Sequence, residues 1–206
     1  MLRYKIILLV VVLGAAGLFW YLQVRKSSPE QGLTIVPNAE SVQKDTQPNS
    51  PQSPYKNFEV SSIPGRAEEL QFLAEIPRDW NGEAITANES LNIYNPSRET
   101  PTNLEKSEIF IRHFEANSFL TLQTVNILER QAVTINGRPA VRYVIEKKPS
   151  AADFPNQPSW RNKRHTVTDI RVSDNNPSVF LVIAQRPELD EAIYQHFLST
   201  LYVSPQ

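Results

Sequence analysis

Residues Ile6 to Leu22 read IILLVVVLGAAGLFWYL, seventeen consecutive positions without a charge. A helix over this run is ~25 Å long at ~1.5 Å per residue, the short end of what crosses ~30 Å of hydrocarbon. Such a run divides the chain, because any water-soluble domain has to form after it. Arg3 and Lys5 precede the run, Arg25 and Lys26 follow it, and Trp20 and Tyr21 sit at one end, where amphipathic rings favour the membrane interface. A cleaved signal peptide is the competing reading, with an apolar stretch of ~7–15 residues and then a small-x-small site. Here the small residues Gly14 to Gly17 lie inside the run and Phe19, Trp20 and Tyr21 follow directly, which suits an interface belt better than a cleavage site. A buried soluble helix is a third reading that fits the length least well. We read residues 1–26 as a transmembrane anchor with basic flanks. Basic residues on both sides make the charge bias small, but the short N-terminus with Arg3 and Lys5 points to the cytoplasm. The expectation is a single-pass protein with its C-terminal part outside the cytoplasm.

Residues 27–55 form the next unit, in which Pro29, Pro37, Pro48, Pro51 and Pro54 break any regular element. Ser, Gln, Asn and Pro dominate, and the apolar residues cluster only at Leu33 to Val36. A segment of this kind buries too little apolar surface to offset its ordering entropy, so it reads as a disordered linker. As a flexible coil it reaches ~30 Å on average. A long loop is the alternative, although structureless loops of this length are uncommon inside domains.

Residues 56–206 alternate like half-buried strands. Leu70, Phe72, Ala74 and Ile76 form one such set, ended by Pro77, and Leu91 and Ile93 form another. Glu108 to Phe114 places Ile109, Ile111 and His113 on one face and Phe110, Arg112 and Phe114 on the other, and Val125 and Ile127 continue the pattern. Asn136-Gly137, between two β-rich runs, supplies the two positive-φ residues of a type I′ hairpin turn. Further strands are expected at 166–172 and 178–184. The chain should close in a helix beginning near Pro187, with Glu188, Asp190 and Glu191 at its positive end and Leu189, Ile193, Phe197 and Leu201 on one face. Strands without regular βαβ alternation, with a C-terminal helix and a shorter helix before it, define an α+β domain.

In this domain Phe72-Leu-Ala-Glu-Ile-Pro-Arg-Asp-Trp80 resembles the early strand and Pro-x-x-Trp turn of the PsbP-like family, named for an extrinsic subunit of photosystem II. Leu91 to Pro96 resembles its next strand, Thr134 to Tyr143 its central hairpin with a Gly-x-Pro-Ala step, and Phe197 to Leu201 its closing helix. Together these span most of residues 70–203. The resemblance implies an antiparallel β-sheet flanked by helices in an α/β/α sandwich, and adaptor or assembly roles rather than a defined activity.

Composition and motifs narrow the function mainly by exclusion. The chain has no cysteine, which removes disulfide scaffolds, thiolate nucleophiles and thiolate metal sites. A net charge of −1 gives no basic bias toward nucleic acid. The three histidines, His113, His165 and His196, have no i, i+4 spacing for a helical metal pair, and no P-loop, dinucleotide or Gly-x-Ser-x-Gly fingerprint occurs. Asp169 lies in a strand pattern with no evident base or nucleophile to pair with, so a cross-strand ion pair is its expected role. Trp80 reads as a core or hinge aromatic rather than a ligand platform. No catalytic residue, metal or cofactor is predicted.

The most unusual cluster is Ser159 to His165, in which Trp160, Arg161, Lys163, Arg164 and His165 could bind an anion or an acidic partner surface. The plainer reading is a solvated loop with Trp160 as a packing lid. Arg142, Lys147 and Lys148 would extend a basic surface if their strands lay beside it. The function expected from all this is a non-catalytic binding or assembly module, anchored in the membrane through Ile6–Leu22 and facing a protein partner at the membrane surface. The alternatives are an enzyme with a dispersed active site and a structural cell-envelope component.

Overall fold

The structure, a computed structural model, describes residues 52–116, 123–173, 175–176 and 178–203. The anchor at Ile6–Leu22 and all but the end of the linker lie outside the described residues. Among the described residues no helix is long and apolar enough to cross a membrane.

The alternating apolar pattern builds two antiparallel sheets. The larger has seven strands in the order β3 (Asn81–Ile85), β4 (Ser90–Tyr94), β5 (Ser107–Glu115), β9 (Val179–Gln185), β8 (His165–Arg171), β7 (Arg138–Lys147), β6 (Val125–Ile135). It is two meanders, β3-β4-β5 and β6-β7-β8-β9, joined where β9 pairs with β5 from Ile109↔Gln185 to Glu115↔Val179. The smaller sheet has the order β1 (Tyr55–Glu59), β2 (Phe72–Pro77), β10 (Tyr202–Val203). Tyr55, at the linker's end by sequence, is thus the first residue of a strand.

The large sheet is buried on both faces. One face carries Leu91, Ile93, Ile109, Ile111, Leu181 and Ile183 against the apolar side of β2 and helix α1 (Glu191–Thr200), forming the larger core. Trp80 belongs to this core, and its N–H donates to the Pro77 carbonyl at 3.0 Å in the expected turn. The opposite face carries Phe110, Tyr143, Ile145, Val167, Phe180, Val182 and Ala184, with Trp160 packed on them.

The expected sandwich is therefore built differently. Among the described residues α1 is the single α-helix, and it lies on one side of the large sheet with the small sheet beside it. The other side is covered by irregular chain and a 3₁₀ turn, Ser159–Asn162, with no flanking helix. Pro149, Pro155 and Pro158 explain this, since three prolines in ten residues cannot sit in one helix interior. Helix α1 also starts later than Pro187. Asp190 is its N-cap, accepting from the Ala192 N–H, and Tyr194, Phe197 and Leu198 are its buried residues.

Candidate functional site

The loop-covered face of the large sheet brings together Arg112, Arg161, His165 and Asp169. Its strands alternate strictly, so β5 contributes Phe110, Arg112 and Phe114, β9 contributes Phe180, Val182 and Ala184, and β8 contributes His165, Val167, Asp169 and Arg171. Arg112 pairs with Val182, and Val182 with Asp169, so these three lie in one row across the sheet.

Above this face sits the turn Ser159–Asn162, fixed at three points. The Ser159 hydroxyl donates to the Glu105 carboxylate at 2.6 Å, Trp160 Nε1 donates to the Ser107 carbonyl at 3.1 Å, and the Phe154 N–H donates to Asn162 Oδ1 at 3.2 Å. A 3₁₀ turn repeats every three residues, so two successive side chains can face the sheet while those that follow turn away. Trp160 and Arg161 point inward and are 4 % and 6 % exposed, while Lys163 and Arg164 point to solvent. His165 opens β8 and is again buried, at 3 %. The five residues predicted as one binding cluster therefore do not share a surface. Trp160 is the packing lid of the plainer reading, Arg161 and His165 lie beneath the loop, and Lys163 and Arg164 form an exposed rim. Arg164 meets Glu129 at 3.0 Å, with both side chains more than 60 % exposed, a contact worth little in water.

The other predicted residues also separate. Arg142 lies on the α1 side of the sheet, 2.7 Å from Glu191 and over the Tyr194 ring. Lys147 is engaged by Asp153 at 3.3 Å and by the Ala151 carbonyl at 2.6 Å, so no joint basic surface forms. His113 alternates to the α1 face, and His196 stacks on Tyr55 and bonds Glu75 at 2.8 Å. Among the described residues no group of three or more His, Asp or Glu is placed to hold a metal ion.

Arg161 is the centre of the site. Its Nε donates to Gln157 Oε1 at 3.1 Å and its Nη1 lies 2.7 Å from His165 Nε2. The guanidinium carbon is 5.9 Å from the Phe110 ring centre and 6.0 Å from that of Phe154. His165 Nδ1 is 2.7 Å from the Lys163 carbonyl, which can only accept, so Nδ1 carries the proton and Nε2 accepts from Arg161. Burial, and then the charge of Arg161, push the imidazole down to about 3, so it is neutral at physiological pH. Burial, and then the like charge of Arg112, push Arg161 down to about 9, which still leaves it a cation there.

Arg112 stacks on Phe114 at 4.8 Å, and its buried Nε has no hydrogen-bond partner. Its guanidinium is shifted down by burial, opposed by the charge of Glu89, which attracts it from a distance without closing an ion pair. Asp169 is wholly buried and takes Arg171, two residues along the same strand, at 3.3 Å. The cross-strand ion pair expected for it is thus replaced by a pair along one strand, because β8 alternation puts both side chains on the same face. Burial pushes the Asp169 carboxyl up, against the pull of Arg171 and Arg130, and its Oδ1 has no hydrogen-bond partner.

The sequence signal for Arg112 was the alternation of Glu108 to Phe114, which sets a cation between two phenylalanines on one face. Nothing local marked Gln157 or Phe154, which reach Arg161 only through the path of the loop.

No model of a known protein family matches the chain, and no curated protein matches it in sequence. Among solved structures it is similar to the solution structure of cyanobacterial PsbP (CyanoP) from Synechocystis sp. PCC 6803. That match has 9 % identity, covers 74 % of this chain and 94 % of the other, and has a TM-score of 0.42. At that identity the likeness is one of fold alone.

Proposed function

We propose that the chain is a non-catalytic binding module, held by its N-terminal anchor at the outer face of a cytoplasmic-type membrane and engaging a protein partner there. The observation that carries the non-catalytic reading is His165. It is the imidazole seated within the ionisable cluster, and both of its nitrogens are engaged, one with Lys163 and one with Arg161. A general base needs a free lone pair within reach of a substrate proton. The Glu108 carboxylate is buried and ion-paired, with Arg98 at 2.6 Å and Arg186 at 3.8 Å. The exposed rim of Lys163 and Arg164 is the surface left for a partner, and the anchor sequence supports the location.

The test is photocrosslinking of the full chain in native membranes, with a photoreactive residue at Lys163 and, separately, at the exposed Gln71 just before β2 of the small sheet. A discrete adduct from position 163 and none from position 71 is expected; equal labelling from both would overturn the partner assignment. A reporter fused after Gln206 should be active outside the cytoplasm, and a cytoplasmic signal would overturn the topology. The oligomeric cell-envelope reading has one observation of its own: Leu73 and Tyr202 are cross-strand neighbours, exposed by 40 % and 59 %. A concentration-dependent dimer lost in Leu73→Ser would favour it.

A further inference from the structure

Four arginines that reach into the large sheet or its loops are each matched to a carboxylate: Arg98 to Glu108 at 2.6 Å, Arg142 to Glu191 at 2.7 Å, Arg171 to Asp169 at 3.3 Å and Arg186 to Glu108 at 3.8 Å. Arg112 and Arg161 are not. Among the described residues neither has an acidic partner within ion-pair distance, and the Arg161 guanidinium lies over Phe110, two residues from Arg112 on the same face of β5, where the charge of Arg112 acts on it. Two like charges brought together at low exposure are destabilising unless something offsets them, and a fold that needed only packing there could use Leu or Met.

The arrangement is also prepared. Gln157 holds one N–H of Arg161, His165 holds a second, and the Phe110 and Phe154 rings flank the guanidinium, so its plane is set. Of the five N–H donors of an arginine, three remain uncommitted. Arg112, set on Phe114, is partly exposed and offers its own fork from the neighbouring strand position.

We infer that Arg112 and Arg161 form a receptor for a small, doubly charged oxyanion of the phosphate class, with His165 and Gln157 as positioning residues for Arg161. Charge selects the class, since two guanidinium groups are balanced by a dianion and left with a surplus by a single carboxylate. Forked N–H pairs match adjacent phosphate oxygens, and the bond strengthens where water is excluded. Arg161 is 6 % exposed, so the ligand is either free phosphate or a phosphomonoester on a narrow stem. This site does not depend on the partner or topology proposed above, and its failure would leave both untouched.

The experiment uses the full-length chain in a non-ionic detergent. Its thermal midpoint and isothermal calorimetry are recorded with sodium phosphate, O-phosphoserine, sodium acetate and sodium chloride at one constant ionic strength. A saturable rise with phosphate is expected, with acetate and chloride flat. Tighter binding of O-phosphoserine than of phosphate would identify the monoester as the source, and the reverse order the free ion. Arg112→Gln should weaken phosphate binding at least tenfold, while the rim variant Lys163→Gln/Arg164→Gln should leave it unchanged. Arg161→Met tests the other fork but also removes buried bonds, so the decisive comparison is Arg112→Gln with and without phosphate. Without phosphate Arg112→Gln should melt above the wild type, because it removes a like charge from Arg161; with saturating phosphate the order should invert. An equal response to acetate and phosphate, an unchanged affinity in Arg112→Gln, or no inversion would overturn the inference.

Discussion

His165 is a neutral imidazole that supports a cation, an arrangement that holds only while it stays unprotonated. In an unfolded chain it titrates near 6.5, and in the fold at about 3. Between those values the unfolded state binds more protons, so this contribution is complete above pH 6.5 and is lost as the pH falls toward 3. The buried carboxyls of Glu108 and Asp169 act in the opposite sense, because their raised values favour the protonated form in the fold. Urea denaturation at pH 7.5 and pH 5.0 should show wild type losing on the order of 1–2 kcal/mol at the lower pH, and His165→Gln losing less. A His165→Gln profile as steep as that of the wild type would count against the assignment. Trp160 offers a second residue-scale test. Its indole N–H bond goes to the Ser107 carbonyl, which also accepts from Arg186 Nε at 2.9 Å and so keeps a partner without it. Trp160→Phe should cost about 1 kcal/mol and Trp160→Ala about 3–5 kcal/mol in the same assay.

At the scale of elements, the β6–β7 hairpin was the most readable part of the sequence. Asn136 and Gly137 adopt φ of 47° and 79°, as a type I′ turn requires. The Asn136 side chain also donates to the Leu201 carbonyl at 2.6 Å, tying the hairpin to the end of α1, which no local pattern announces. Gly137→Ala has open space around its added carbon but meets backbone strain, and should cost about 1 kcal/mol by thermal denaturation. Strands β2, β4 and β5 were also legible from apolar residues at every second position, and β8 and β9 as β-rich runs on either side of a turn-forming stretch. Strand β1 was not, with Phe58 its one buried residue, and β3, Asn81 to Ile85, was not, with no buried residue at all. Tyr194 was missed in α1 because a four-residue apolar repeat is not the only way onto a helix face. It is wholly buried, and its hydroxyl donates to Thr168 Oγ1 at 2.8 Å.

At the scale of the whole described domain, the small and large sheets meet where the Phe58 ring of β1 lies over Gly82 of β3. A side-chain carbon on Gly82 would overlap the edge of that ring. Gly82→Ala should cost about 1–3 kcal/mol, and Phe58→Leu should relieve much of it, so a double-mutant cycle by urea denaturation should give a coupling beyond ~0.5 kcal/mol. Additive effects would show that the two strands do not meet there. The sequence alone set apart an apolar run, a proline-rich stretch and a region of strand-like alternation, because hydrophobic length and periodicity are local quantities. It determined most of the strands for the same reason, and it pointed to the Ser159–His165 cluster by composition. Which members of that cluster face inward was decided only by tertiary structure. The Ser159–Asn162 turn is fixed by Glu105 and Ser107, more than fifty residues away in sequence, and that anchoring sends Arg161 under the loop and Lys163 out of it. The placement of Arg161 over the sheet face that carries Phe110 and Arg112 is likewise a long-range fact, because it depends on β9 pairing with β5 and on a loop path that no local propensity sets.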